Sequence, residues 1–274
     1  MLAGHLSALA DSGPDLLVAL DFDGTLAPIV DDPENATALP AAAGVIGRLA
    51  QHCRGVAIIT GRPVDQVLRL GDLEKVADSI EEGTFVVLGQ YGNERWDADQ
   101  RVTESAPPPE GLAGFREALP GLLDQVGVHP WIEDKGLAVA LHTRRLPEPA
   151  HSYGELLPVI SGAAAAHGLV TEPGRQVIEI RGAGTDKGTV LSALTEELAA
   201  RAVLFAGDDL GDLEAFRAVD GLHAAGMATL KVCSGSEEES ALAPLADVVV
   251  DGPAGVLALL DDLTDRLRSA SASE

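Results

Sequence analysis

The sequence predicts an α/β fold, a Rossmann-like core built on a parallel sheet and interrupted by an inserted α+β unit. Three observations lead there. Apolar, β-branched runs of strand length recur at "LLVAL" (16–20), "GVAIIT" (55–60), "TFVVLG" (84–89), "AVLFAG" (202–207) and "DVVV" (247–250). Segments with helical spacing separate most of them, such as "LPAAAGVIGRLAQHC" and "GTVLSALTEELAARA". Strands apolar on both faces belong in a parallel sheet covered by helices on either side. The third observation is a break in this pattern. It stops at the Pro-rich "ESAPPPEG" (104–111) and resumes at "RGAGTDKG" (181–188).

Between the breaks the elements follow in a different order. A helix over 111–126 comes first, then the strands "HPWIEDK" and "LAVALHT". A helix near 151–167 follows, then "LVTEPGRQVIEIR", whose glycine marks a hairpin turn. Apolar residues alternating with polar ones give an antiparallel sheet with one wet face. The insert therefore reads as αββαββ over 106–182, with core parts at 1–105 and 183–274 and hinges near 104–110 and 181–186. The tail "SASASE" reads as disordered.

Composition excludes some functions. A formal charge of −24 opposes nucleic acid and anionic membranes, and 3% aromatics leave few stacking platforms for single strands. Cys53 and Cys233 are isolated, as in buried thiols of a reducing compartment. The first residues lack a basic, apolar leader and no run reaches membrane-spanning length, so a cytoplasmic location without membrane contact is expected. A monomer is expected as well. The four lysines, Lys75, Lys135, Lys187 and Lys231, matter because an anionic substrate must find its cations among few.

In open parallel sheets, ligands bind outside the carboxyl ends of the strands. Those ends carry Asp21-Phe-Asp23, Thr60-Gly61-Arg62, Tyr91-Gly-Asn-Glu94 and Gly207-Asp-Asp209, so polar residues converge on one edge. Two carboxylates as close as Asp21 and Asp23 repel unless one is protonated or a cation sits beside them. Mg²⁺ suits them, being hard and accustomed to carboxylates plus phosphate. A carboxylate can also be the nucleophile that forms an aspartyl-phosphate. Taken alone, the Asp-x-Asp pair reads better as a cap and a turn residue.

The pair does not stand alone. Asp21 and Asp23, Thr60 at the end of "VAIITGR", Lys187 in "TDKG" and the acidic "GDDLGD" (207–212) appear in the order of the four motifs of the haloacid dehalogenase-like phosphatase superfamily, which the chain resembles. "DFDGTLAPIVDDPENA", "YGNE", "EDKGLAVALHTR", "GRQVIEIR" and "GDDLGDLEAF" make it similar, more narrowly, to the trehalose-6-phosphate phosphatase family over about 16–250. One departure is Gly211-Asp212-Leu213, where that family usually has Thr-Asp-Glu.

The resemblance implies a Mg²⁺-dependent hydrolysis of trehalose 6-phosphate. Asp21 would be the nucleophile and Asp23 the general acid and base. Thr60 and Lys187 would clamp the phosphoryl group. Mg²⁺ would be held by Asp21, the Asp23 carbonyl and Asp208, with Asp209 and Asp212 in support. Gly61, Arg62 and Asn93 would face the substrate. A solvated or salt-bridged Arg62 is an equal reading of the residue itself. Asn93 and Glu94 both point to function by their strand-end position and the family match. In the insert, Glu133, Lys135 and Glu179 would hold the sugar, and the insert would close over the core as a lid. Glu133 and Lys135 alternate along one strand and so share a face. From residue types alone, a solvated face with ion pairs is the better reading of these three. Trp96 reads as packing, and His142 either as structural or as orienting a neighbour. Within the class, a sucrose or glucosylglycerate phosphate is the rival substrate. Outside it, the rival is a catalytically silent sugar-phosphate sensor.

Overall fold

The computed structural model describes residues 2–30, 32–80, 83–174, 176–235 and 242–271. The chain divides into two compact units, one formed by 1–104 and 186–274, the other by 105–185.

In the first unit the elements run α1 (Leu2–Asp11), β1 (Leu16–Leu20), α2 (Ala42–Ala50), β2 (Gly55–Ile59), α3 (Val64–Gly71), α4 (Glu74–Ser79), β3 (Thr84–Gly89), β4 (Glu94–Asp97) and β5 (Thr103–Ser105). The intervening unit holds α5 (Leu112–Val126), β6 (Trp131–Asp134), β7 (Ala138–His142), α6 (Pro149–Ala166), β8 (Leu169–Gly174) and β9 (Val177–Gly182). The first unit resumes with α7 (Lys187–Glu197), β10 (Ala202–Gly207), α8 (Leu213–Ala224), β11 (Ala228–Gly235), β12 (Val248–Asp251) and α9 (Gly252–Ser271).

Eight strands form the larger sheet in the order β12-β11-β10-β1-β2-β3-β4-β5. From β12 to β3 every pairing is parallel, and β4 turns back antiparallel to β3. The period of two along β1 explains its all-apolar sequence. Leu16, Val18 and Leu20 face one apolar cluster, shared with α1, α2 and α9, while Leu17 and Ala19 face another, shared with α7 and α8. β1 lies between β2 and β10, so its carboxyl end, Asp21, emerges at the middle of the sheet edge.

The second unit has a four-stranded antiparallel sheet, β6-β7-β9-β8. Val139, Leu141, Ile178 and Ile180 pack with Phe115, Leu119, Leu156 and Ile160 of the two helices. The alternate residues, Glu133, Ala140 and Glu179, lie in one row across the other face.

Three features differ from the sequence reading. Residues 228–235 add a strand, β11, that no apolar run announced. Two short polar strands, β4 and β5, extend the sheet past β3. The tail expected to be disordered is helical as far as Ser271, because α9 keeps burying Leu260, Leu263 and Leu267 on one side, and 272–274 lie outside the described residues. Trp96 is buried against the edge of Phe85, as a packing residue would be.

Candidate active site

The site grows from the end of β1. Asp21 is buried, and its backbone N–H donates to Ala206 O of β10, which continues the parallel ladder one residue into the motif. The chain then turns at Gly24, whose φ is +70°. A β-carbon there would overlap the Asp208 carboxylate. Gly24 therefore serves two ends at once, a left-handed turn and room for an acidic side chain from β10. Ser234 Oγ donates to Gly24 O at 2.6 Å and fixes the turn from β11. The sequence reading missed Ser234, since the strand that delivers it was not recognised.

Lys187 comes from the first turn of α7. Asp186 caps that helix, accepting from Thr189 N at 2.8 Å, and so sets where Lys187 begins its reach. The buried ammonium lies 2.7 Å from Asp21 Oδ1 and 2.7 Å from Asp212 Oδ1. Asp212 is wholly buried, and its second oxygen accepts from Asp208 N at 3.0 Å and Asp209 N at 3.4 Å. Asp212 thus ties the acidic loop to the lysine. Asp209 Oδ1 accepts from Gly211 N at 2.8 Å and caps the short 3-10 turn that follows.

Oxygens of Asp21, Asp208 and Asp212 lie within 4.8 Å of one another, a grouping that can hold a metal ion. Their protonation shows a shortage of positive charge. Burial pushes the Asp208 carboxyl up to about 10, helped by Asp21, Asp209 and Asp212 and opposed by Lys187. Asp21 is raised well above the usual carboxylate range, by burial first, with Lys187 opposing and Asp212 and Asp23 adding. Asp212 is raised too, again chiefly by burial against the pull of Lys187. Burial also disfavours the charged Lys187, yet the carboxylates of Asp21, Asp212 and Asp209 carry it well above its ordinary value. One ammonium therefore offsets only part of the cost of burying these carboxylates. An all-oxygen donor set short of one or two positive charges fits a hard divalent cation.

Asp23 is oriented by Arg62. The guanidinium forks onto its two oxygens at 2.6 and 2.7 Å and donates to Gln66 at 2.8 Å. This bidentate grip ties Arg62 to Asp23. Thr60 Oγ1 accepts from Arg62 N at 3.2 Å, and Gly61 lies between them in the same turn. Asn93 donates through Nδ2 to Gln90 O at 2.7 Å.

The second unit carries its own polar cluster. Lys135 follows β6 and keeps its register through a bond from Lys135 N to Ala138 O. Its ammonium reaches Glu179 Oε2 at 2.6 Å, and both side chains are about nine-tenths buried at 10% and 9% exposure. Among the described residues, none donates to the other Glu179 oxygen, which is also buried. Glu133 pairs with His142 Nε2 at 2.9 Å, and the His142 ring lies 4.4 Å from that of Trp131. His142 thus orients a carboxylate on the wet face.

The parallel sheet, the carboxylate pair at the end of its central strand and the inserted α+β unit define a haloacid dehalogenase-like hydrolase fold. A haloacid dehalogenase-like hydrolase from Bacteroides thetaiotaomicron superposes with a TM-score of 0.63 at 15% identity, over 90% of this chain and 98% of that one. The C-terminal domain of Candida albicans trehalose-6-phosphate phosphatase superposes at 0.75, with 19% identity and 95% of each chain covered. The chain belongs to the trehalose-phosphatase family, whose model matches residues 19–249. The trehalose-phosphate phosphatase of Mycobacterium avium is 30% identical over 274 residues, covering 97% of this chain and 66% of that protein. Across the first curated relatives, the chain spans between 15% and 66% of their length. Among the described residues, no helix is long and apolar enough to cross a membrane.

Proposed function

We propose that the chain hydrolyses trehalose 6-phosphate to trehalose and phosphate, using Mg²⁺ and an aspartyl-phosphate on Asp21. One observation carries the reading most. The core-site lysine, Lys187, bonds directly to the Asp21 carboxylate, at the end of the central strand, beside the Asp208 carboxylate. A nucleophile held against a cation in a buried site suits a phosphate ester and gives a mere sugar sensor nothing.

An Asp21 oxygen attacks phosphorus in line, and the bond from phosphorus to the sugar oxygen breaks. Asp23, protonated on an oxygen released from Arg62, gives its proton to the sugar oxygen. In the second half Asp23 takes a proton from water. The water oxygen attacks phosphorus, and the bond to Asp21 breaks to release phosphate. Thr60 donates to the phosphoryl oxygens, and Lys187 neutralises charge where they approach Asp21. Asp21, the Asp23 carbonyl and Asp208 would hold Mg²⁺, with Asp209 and Asp212 fixing the loop. The ion supplies electrostatic stabilisation of the transferring phosphoryl group.

Phosphate release across trehalose, sucrose and glucosylglycerate phosphates, with and without Mg²⁺, tests the substrate and the metal together. Chelation with EDTA should abolish release, and Mg²⁺ should restore it. A second readout does not need turnover. A carboxyl titrating at about 10 is protonated at neutral pH when no metal is bound. Adding Mg²⁺ to metal-free protein near pH 7 should therefore release protons. Full turnover in metal-free buffer would sink the metal assignment.

Sugar recognition we assign to Glu133, Lys135 and Glu179, with the second unit acting as the cap. A buried carboxylate oxygen without a donor among the described residues, next to an ammonium, is a fit acceptor for a sugar hydroxyl. Leaving one such contact unpaired costs about 1–3 kcal/mol. Alanine at any of the three should lower kcat/KM for trehalose 6-phosphate by roughly ten- to a hundredfold and barely alter hydrolysis of a small aryl phosphate. Equal losses on both substrates would make the unit structural support only.

A further inference from the structure

Helix α3 has no cap of its own. It starts immediately after Thr60-Gly61-Arg62, and the residue at its N-cap position is Pro63, whose side chain accepts nothing. The acceptor comes from another element. Glu94, the first residue of β4, takes a hydrogen bond from Val64 N at 2.7 Å through Oε2. Its other oxygen takes one from Gln90 Nε2 at 2.6 Å. A carboxylate at a helix N-terminus satisfies an orphan N–H and opposes the positive end of the helix dipole.

Gln90 belongs to an unusual turn. Gln90, Tyr91 and Gly92 have φ of +47°, +57° and +85°, three left-handed residues in a row of which two carry side chains. Non-glycine residues in this region cost about 1–3 kcal/mol each and persist where the surroundings over-determine them. Here the surroundings are the Thr60–Arg62 loop. Gln90 N donates to Arg62 O at 2.9 Å, and Tyr91 N donates to Thr60 O at 2.9 Å. The strained turn and the Glu94 carboxylate thus grip both ends of the stretch from Thr60 to Val64. That stretch carries the Thr60 hydroxyl, and it carries Arg62, which aims Asp23.

We infer that Glu94 is a positioning residue for phosphoryl transfer, capping α3 from outside the helix and so fixing the Thr60–Arg62 loop against the Gln90–Gly92 turn. The inference rests on the phosphatase reading and adds to it a residue that touches neither substrate nor metal. Because the loop serves chemistry and not sugar recognition, Glu94→Ala should lower kcat about ten- to a hundredfold for trehalose 6-phosphate and for p-nitrophenyl phosphate alike, with KM changing less than threefold. Glu94→Gln should recover most of that loss. Its amide oxygen can still accept from Val64 N, and Gln90, whose buried Oε1 has no partner, can flip to meet the new NH₂.

Hydrogen exchange is the companion measurement, made on the folded full-length chain. Glu94→Ala should speed exchange at Val64 by at least about tenfold, and Glu94→Gln should not. Unchanged kcat in Glu94→Ala would overturn the inference. So would a Glu94→Gln variant as slow as Glu94→Ala, since the charge itself would then be the requirement. Wild-type protein that hydrolyses neither compound would overturn the phosphatase reading instead, and Val64 exchange would still decide whether Glu94 caps the loop.

Discussion

Asp21→Asn is expected to reduce phosphate release by at least about 10⁴-fold while the protein stays folded. The amide matches the carboxylate in shape but is a poor nucleophile. The fold should tolerate it because burial already opposes the charge on Asp21, so a neutral side chain removes a desolvation penalty. Lys187 would lose one of two carboxylate partners and keep Asp212 at 2.7 Å. Melting temperature should therefore hold within a few degrees. Asp23→Asn separates the two half-reactions. It removes the group that deprotonates water, and phosphorylated Asp21 should accumulate when label is supplied on the substrate phosphate. Mass spectrometry of a rapidly quenched sample locates that label, and finding it on any other residue refutes the nucleophile assignment.

The parts of the site legible in the sequence are those whose chemistry is local. A run of five apolar residues ending in Asp21 places a carboxylate at a strand end, and Asp23-Gly24 announces a turn. Partners across the fold were not legible. Arg62 and Asp23 are 39 residues apart, and nothing in residue type says that the arginine grips the aspartate and not a substrate oxygen. Glu94 capping α3 is hidden for the same reason, because sequence rules look for a cap beside the helix and find Pro63. β11 escaped notice because "ATLKVCSG" mixes Thr, Lys, Ser and Gly into a strand only partly buried, and its neighbours β10 and β12 supply the pairing that its composition does not advertise. The left-handed turn at Gln90 and Tyr91 carries no glycine at either position, and bonds to Thr60, Arg62 and Glu94 help hold it there. The antiparallel insert was easier, since alternation along "WIED" and the turn in "LVTEPGRQVIEIR" are local signals.

Lys187→Ala should cut activity by roughly 10³-fold or more and destabilise the protein as well, and the two losses have one cause. Its ammonium is the charge that lets Asp21 and Asp212 sit buried at all. Removing one member of a buried ion pair typically costs about 3–5 kcal/mol, because the partner is left uncompensated. The carboxylates can escape by taking up protons, and that predicts a pH dependence. A carboxyl whose folded pKa is raised contributes stability that is full below its unfolded value, near 4, and is lost as pH rises toward the folded value. Deleting Lys187 raises Asp21 and Asp212 further. The stability gap between variant and wild type should then be constant below the wild-type folded values, themselves already raised, and widen as pH climbs above them, as denaturant melts at several pH values would show. Activity would not recover at low pH, since protonated Asp21 is no nucleophile. Lys231 serves as the comparison. It pairs with Asp220 and lies over Phe216, away from the carboxylate group, so Lys231→Ala can cost some stability but should leave kcat within about threefold. If Lys231→Ala matched Lys187→Ala in lost turnover, the anion site would have to be placed elsewhere. If Lys187→Ala showed a gap independent of pH, the lysine would not be the group that keeps the buried aspartates charged.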